Sequence, residues 1–419
     1  MRQLCLAAFL CTTAIAQAPD VPPLPKPTGS FAVGRVTVHW TDRSRTEPLS
    51  PDRGPRELMV DVWYPSDAAS GPTAEYLDRS AFERPATAER LRGYLRGAYE
   101  AVKTGRVRTH AIERGPFARS VARAPALVFS HGGGEMRETY TAQLEDLASH
   151  GYVVAAITHT YDATLAAFPD GRHVLLAPAR WPRPTVSTVE GLPPGEEMNR
   201  DRLRWGADDF RFVYSQLNRE DETDPARYPF VGRVDLLRVG AFGHSLGGAA
   251  AAHACQIDRR FSACLNQDGL SAFAPFYLDD RGWGMDQAFM LIARAPRNER
   301  PTDGDLAKMN MTRQQADALV ARLKARQLAA LQHTGKGSYH IVLDNTKTTH
   351  ADFGDLPLLQ SRDDAEAAAR ARVLATVRSY TRAFFDQQLK GLPAPLLDRT
   401  STNELVIAVD AYPPPTRER

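Results

Sequence analysis

Five residues near the middle of the chain, Gly243-His244-Ser245-Leu246-Gly247, have the types and spacing for nucleophilic catalysis. A serine hydroxyl attacks a carbonyl carbon only when it is exposed, oriented and paired with a base. A sharp strand-to-helix turn provides the exposure and orientation, and glycines two residues to either side let strand and helix approach closely. The flanks fit such a turn. The apolar stretch "RVGAFGHS" (238–245) leads in, and the small-residue run "LGGAAAAHAC" (246–255) leads out. A second glycine cluster, Ser130-His131-Gly132-Gly133-Gly134, follows another apolar run. Acyl transfer builds negative charge on the carbonyl oxygen, and preorganised backbone N–H groups stabilise it. One donor is expected from the residue after the nucleophile, Leu246, and the other from the loop after the earlier strand.

A base and an orienting acid must follow in the chain order Ser, Asp or Glu, His. Asp268 closes the strand-like segment 263–269, which puts its carboxylate at the same sheet edge as Ser245. Asp303 and Asp305 are rivals, nine or more residues past the end of the next strand, in a loop whose position is poorly determined. Of eleven histidines, His350 is the expected base, because it lies in the loop after strand 338–344. His131 and His244 sit inside glycine motifs and are read as loop-orienting residues. His340 is inside a strand, too far from its C-terminal end. An imidazole of ordinary basicity can take the serine proton at neutral pH and return it to the leaving group. This chemistry calls for no metal and no organic cofactor.

The segments around these residues alternate. Strands are expected over 31–42, 57–65, 125–129, 152–159, 238–245, 263–269, 287–294 and 338–344, with helices near 78–103, 140–151, 199–218, 312–332 and 362–389. Strands alternating with helices of ten or more residues imply right-handed crossovers and a mostly parallel, doubly wound sheet covered on both faces. The first two strands lack a helix between them, so an antiparallel N-terminal hairpin at one edge is expected. The fold class is therefore α/β. We divide the chain into a signal peptide (1–16), a proline-rich linker (17–29), one catalytic domain (30–390) with cap insertions near 66–120 and 160–198, and a C-terminal tail (391–419).

The first eighteen residues, "MRQLCLAAFLCTTAIAQA", combine an early arginine, a short apolar run and small-residue cleavage signals. They predict an exported protein, secreted or periplasmic. Export would remove Cys5 and Cys11 and leave Cys255 and Cys264. A disulfide and two buried core thiols are equally compatible with that pair. Net charge is +2, with 52 basic and 50 acidic residues, which argues against a dedicated nucleic-acid binder. Leu91, Tyr94, Leu95, Ala98, Tyr99 and Val102 recur at helical spacing beside Arg92, Arg96 and Lys103. That stripe reads as a cap helix packed on the core, and alternatively as a face for transient membrane-surface contact. The oligomeric state is left open.

These motifs together resemble the platelet-activating factor acetylhydrolases of the plasma and intracellular-II type, within the α/β-hydrolase superfamily. The similar stretches are "RELMVDVWYP", "LVFSHGGGEMRETYTAQLEDLASHGYVVAAITH", "GHSLGGA", Asp268-Gly269 and "HADFGD" at 350–355. The resemblance implies a Ser245–Asp268–His350 triad and oxyanion donors at Leu246 and Gly133, and it favours Asp268 over Asp303. It also implies calcium-independent release of short or oxidised acyl chains from phospholipids. Two departures stand out. This chain has Gly133 where the animal enzymes carry a bulky apolar residue, and the 160–198 insertion matches nothing in the family. A general short-chain, polyester or dienelactone-hydrolase-like esterase is the alternative. A catalytically silent hydrolase-fold binding protein is the non-enzyme alternative.

Overall fold

The computed structural model describes residues 21–177, 196–223, 228–269, 285–296, 302–308, 311–398 and 403–415. The signal-peptide segment and the later part of the 160–198 insertion lie outside the described residues. The strands are β1 (Ala32–Thr46), β2 (Pro55–Ser66), β3 (Thr73–Glu75), β4 (Arg108–Glu113), β5 (Ala124–Ser130), β6 (Val153–His159), β7 (Leu165–Ala167), β8 (His173–Leu175), β9 (Val234–His244), β10 (Ala263–Gln267), β11 (Ala288–Arg294), β12 (Ser338–Leu343) and β13 (Val406–Tyr412). The helices are α1 (Pro85–Leu95), α2 (Tyr99–Lys103), α3 (Thr141–Ser149), α4 (Glu196–Thr223), α5 (Leu246–Ile257), α6 (Asp303–Lys308), α7 (Arg313–Gln332), α8 (Leu356–Leu359) and α9 (Asp364–Lys390).

Among the described residues one large sheet runs in the order β13-β12-β11-β10-β9-β5-β6-β2-β1-β4-β3. Its centre, from β6 to β12, is parallel. Every residue of β5, β6 and β10 is buried, as expected for strands covered on both faces. On one face α4 and α5 contribute Leu203, Phe210, Val213 and Ala249 to a core with Val60, Val128 and Ala241. On the other, α3 and α9 pack Leu144, Leu147, Val377 and Phe384 against Leu127, Phe242 and Ile292. This places the C-terminal ends of β5, β9 and β10 side by side at the middle of one sheet edge, beside the loop that follows β12.

One expectation needs correction. The β1–β2 hairpin is antiparallel, with Val36 opposite Val62, but it is not the sheet edge. The segment before β5 contains β4, which pairs parallel with β1 and antiparallel with β3. In β4, Thr109 and Ala111 are buried between exposed or half-buried neighbours, a two-residue period hidden by its charged residues. At the opposite edge the C-terminal tail supplies β13, antiparallel to β12. Part of the 160–198 insertion is a β7–β8 hairpin.

The stripe that could have faced a lipid surface is buried in the fold. Leu91, Leu95, Ala98, Tyr99 and Val102 pack with Leu24, Met136, Leu165 and Leu359, and the Tyr94 hydroxyl lies 3.1 Å from Thr139 Oγ1. Cys255, near the end of α5, is disulfide-bonded to Cys264 in β10, nine residues on. That bond ties the helix after Ser245 to the strand before Asp268. Closing a loop of this size is expected to stabilise by about 2–3 kcal/mol through the unfolded state. Replacing both cysteines by serine should therefore lower the urea-unfolding free energy by about that amount.

Candidate active site

Ser245 occupies the turn between β9 and α5 with φ 53° and ψ −122°, a conformation side-chain-bearing residues rarely adopt. Its N–H donates to the Gln267 carbonyl at 2.8 Å, and its own carbonyl accepts from Ala249 N–H at 3.0 Å. The flanking glycines are sterically required. A Cβ on Gly243 would lie 2.5 Å from the Gly247 carbonyl carbon, and one on Gly247 would lie 2.3 Å from the carbonyl oxygens of Ser130 and His131. The turn is thus packed backbone to backbone on the loop that follows β5.

His350 Nε2 stands 2.9 Å from Ser245 Oγ, and His350 Nδ1 stands 2.6 Å from Asp268 Oδ2. The carboxylate accepts only, so Nδ1 carries the proton and Nε2 is free to take one from the serine. His350 opens a short 3₁₀ turn capped by Thr349, whose N–H and hydroxyl reach Asp352 Oδ2 at 2.6 and 2.8 Å. Arg370 of α9 anchors the same Asp352 oxygen at 2.7 Å. The His244 ring lies between the rings of Phe353 and His350, at 5.2 and 4.6 Å. Asp268 directly follows β10 at φ 55°, its N–H donating to the Ile292 carbonyl at 2.7 Å. Burial alone would raise its carboxyl pKa, but hydrogen bonds from His350 and Arg294 outweigh that and hold it below the usual carboxylate range.

The rivals are elsewhere. Asp303 is almost fully exposed and ion-paired with Arg313 at 2.6 Å. The Asp305 side chain lies outside the described residues. His340 faces Asp410 from within β12. Sequence reading missed Arg294, the last residue of β11, whose Nε donates to Asp268 Oδ2 at 2.7 Å and whose backbone N–H donates to Oδ1 at 3.0 Å.

The loop carrying Gly133 is fixed by histidines. His131 is buried, and its Nδ1–H donates to the Gly132 carbonyl at 2.7 Å. Its Nε2 accepts from the His159 backbone N–H at 3.3 Å. Burial, and then the neighbouring His159, push the His131 pKa down to about 3, so the ring is neutral in this role. In a trans peptide the carbonyl and the following N–H point in opposite directions. Holding the Gly132 carbonyl against His131 therefore turns the Gly133 N–H away from that ring. The neighbouring N–H groups are used: Gly132 donates to Tyr140 Oη at 3.3 Å and Gly134 to the Asp162 carbonyl at 3.0 Å. Among the described residues no such partner meets the Gly133 N–H. A small cavity borders Gly133 and Leu246 together.

Below this loop is a second Ser–His–Asp array. His159 Nε2 lies 2.7 Å from Ser130 Oγ, and its Nδ1 lies 2.8 Å from Asp209 Oδ2. Arg56 and Arg45 pair with the two Asp209 oxygens at 2.6 and 2.7 Å. Burial would raise the Asp209 carboxyl, but these arginines hold it well below the usual range. All three members of the array are buried, and Ser130 and His159 line the same small cavity that Gly133 and Leu246 border.

A mostly parallel sheet covered on both faces, a serine on a tight turn after a central strand, and the acid and histidine on loops after later strands define the α/β-hydrolase class. Within it the chain is similar to platelet-activating factor acetylhydrolases. A family model described as "Platelet-activating factor acetylhydrolase, isoform II" matches residues 18–170, a stretch that includes Gly133 and ends before Ser245. A platelet-activating factor acetylhydrolase of Cavia porcellus is 26% identical over 251 residues, 57% of this chain and 53% of its own length. A probable 1-alkyl-2-acetylglycerophosphocholine esterase of Arthroderma benhamiae is 26% identical over 279 residues, 63% of each. The chain thus spans less than two thirds of the length of these curated relatives. The solved structure of a ferulic acid esterase from Streptomyces cinnamoneus superposes with a TM-score of 0.63 at 29% identity, covering 91% of this chain and 96% of that one.

Two outcomes follow. Gly247→Ala is expected to abolish soluble, active protein, whereas Gly93→Ala, whose added methyl meets nothing within 4 Å, should leave expression and activity within about twofold, since uninvolved surface changes are worth about ±0.5 kcal/mol. For His131 the folded pKa is depressed to about 3 against ~6.5 unfolded. Its contribution to stability is fully present above about pH 6.5 and is lost as pH falls toward 3. In His131→Gln, proton uptake on unfolding near pH 5 should therefore fall by about one proton, measured from the slope of unfolding free energy against pH.

Proposed function

We propose that this protein is a serine ester hydrolase acting through an acyl-enzyme. Ser245 is the nucleophile. His350 takes its proton and returns it to the leaving alcohol, then activates water for deacylation. Asp268 fixes the imidazole tautomer and stabilises the imidazolium. The N–H groups of Leu246 and Gly133 receive the developing oxyanion. The observation that carries this reading is the hydrogen-bonded line from Ser245 through His350 to Asp268, on a strained turn packed against the glycine loop.

For the substrate, similarity to proteins named platelet-activating factor acetylhydrolase favours short or oxidised acyl chains on phospholipids. A second reading, a general esterase of small carboxylic esters, is favoured by the near full-length likeness to the ferulic acid esterase. Because the α1–α2 stripe is buried, contact with a lipid surface would have to use another face, and a lipid substrate could equally be taken singly from solution. We place the protein outside the cytoplasm, secreted or periplasmic, on the N-terminal sequence pattern and on the Cys255–Cys264 bond, which suits an oxidising compartment.

The test is hydrolysis of p-nitrophenyl esters of two to twelve acyl carbons. The native protein should turn over the short esters best. Ser245→Ala and His350→Ala should each lower kcat by about 10⁴–10⁶, and Asp268→Asn by about 10⁴. A folded native protein without activity at any length, or a fully active Ser245→Ala variant, would overturn the reading. Activity that peaks on long chains would keep the chemistry and reject the acetylhydrolase-like substrate.

A further inference from the structure

Arg294 has donors left over after it has served Asp268. Its Nε bonds to Asp268 Oδ2, the same oxygen that faces His350 Nδ1, which uses one of the five N–H donors of a guanidinium. The side chain is 20% exposed, and no described residue meets its Nη1 or Nη2 in a hydrogen bond. Arg294 borders a cavity of about 530 Å³ together with Asp268, Ala295, Pro296, Thr349, His350 and Ala351. A planar fork with free donors in a concave site suits a carboxylate or a phosphate.

Which end of an ester would lie there follows from proton transfer. His350 must deliver its proton to the leaving oxygen, so the alcohol portion lies on the His350 side, and His350 is itself a wall of this cavity. The oxyanion loop carries the opposite sign. Glu135 accepts from Tyr140 Oη and stands 3.3 Å from His244 Nδ1. Burial would raise its carboxyl, but His244 holds it below the usual range. An anion on the substrate is therefore repelled at the loop wall and attracted at the His350 wall.

Resting on the proposed esterase reading, we infer that Arg294 recognises an anionic group, phosphate or carboxylate, on the leaving alcohol of the substrate. Arg294 is thus a positioning residue for Asp268 and a specificity determinant for the alcohol. Hydrolysis itself is unchanged: water cleaves the ester, and the anionic alcohol leaves with the proton from His350.

The experiment compares kcat/KM for matched pairs in the native protein, Arg294→Gln and Arg294→Lys. On the alcohol side the pairs are 4-acetoxybenzoate against its methyl ester and 4-acetoxyphenyl phosphate against 4-acetoxyanisole. On the acyl side the pair is mono-4-nitrophenyl succinate against 4-nitrophenyl butyrate. Loss of the clamp lowers all rates, so the ratio within each pair is the readout. The alcohol-side ratio of anionic to neutral substrate should fall about tenfold in Arg294→Gln, the order of a charge-assisted hydrogen bond, and recover in part in Arg294→Lys. The acyl-side ratio should not move. The phosphate and carboxylate pairs tell the two anions apart, whichever responds. Unchanged alcohol-side ratios, or a change confined to the acyl side, would overturn the inference while neutral-ester turnover keeps the esterase reading intact. If Arg294→Gln does not fold, the native protein decides: sn-glycerol 3-phosphate should inhibit neutral-ester hydrolysis competitively where glycerol does not, and equal or absent inhibition by both would sink it.

Discussion

At the turn between β9 and α5 a serine is held at positive φ, and the rest of the site is arranged around that backbone. Such a conformation costs about 1–3 kcal/mol and persists only where the surroundings over-determine it. Here they do. The Ser245 N–H is tied to Gln267, the last residue of β10, and its carbonyl caps the first turn of α5. A Cβ on Gly269 would lie 2.0 Å from the Ser245 carbonyl oxygen, so the segment after β10 closes over the turn from the other side. Asp268, one residue before that glycine, is itself at positive φ. Ser245 and Asp268 are therefore strained next to one another across adjacent parallel strands, and the β9–β10 ladder that holds one also holds the other. The Cys255–Cys264 bond fastens the same two elements away from the chemistry.

The two Ser–His–Asp lines in this molecule show that the triad is not made by residue identity alone. Ser130, His159 and Asp209 have distances like those of Ser245, His350 and Asp268, yet only the latter set has its serine on an open turn beside oriented N–H groups. The buried set is surrounded by Arg56 and Arg45, and its histidine holds the end of β5. His159 also donates its backbone N–H to His131, which in turn holds the Gly132 carbonyl. A chain of hydrogen bonds thus runs from an ionic cluster in the interior to the peptide that aims Gly133. Buried charge of this kind is weak evidence for stability. Its value here lies in fixing one loop geometry.

Most of the residues gathered at the candidate site are legible in the sequence because their constraint is local. Gly-x-Ser-x-Gly, the glycine loop and the strand-end aspartate each declare themselves within a few residues, and apolar strands such as β5 and β6 are unmistakable. What was illegible depends on long-range pairing. Arg294 reads as a strand ending in solvent until Asp268, 26 residues earlier, is seen beside it. Asp209 sits on a highly charged helix, and its burial rests on Arg56, 153 residues away. Strand β13 is an edge strand and β4 lies one strand in from the other edge; charged residues interrupt β4, and the apolar run Val406–Val409 of β13 is short, so neither has the long buried run that marks the sheet centre. The α1–α2 stripe had the periodicity of a surface helix, and only its neighbours Leu24, Met136 and Leu359 decide that the stripe faces inward.

The sharing of Asp268 sets the electrical balance of the site. A carboxylate that served His350 alone would concentrate its field on the imidazole and be held at one oxygen only. With Arg294 on the same oxygen, part of that field is already neutralised, and the acid is pinned at both oxygens rather than one. The orientation of the imidazole is thereby secured by geometry more than by charge.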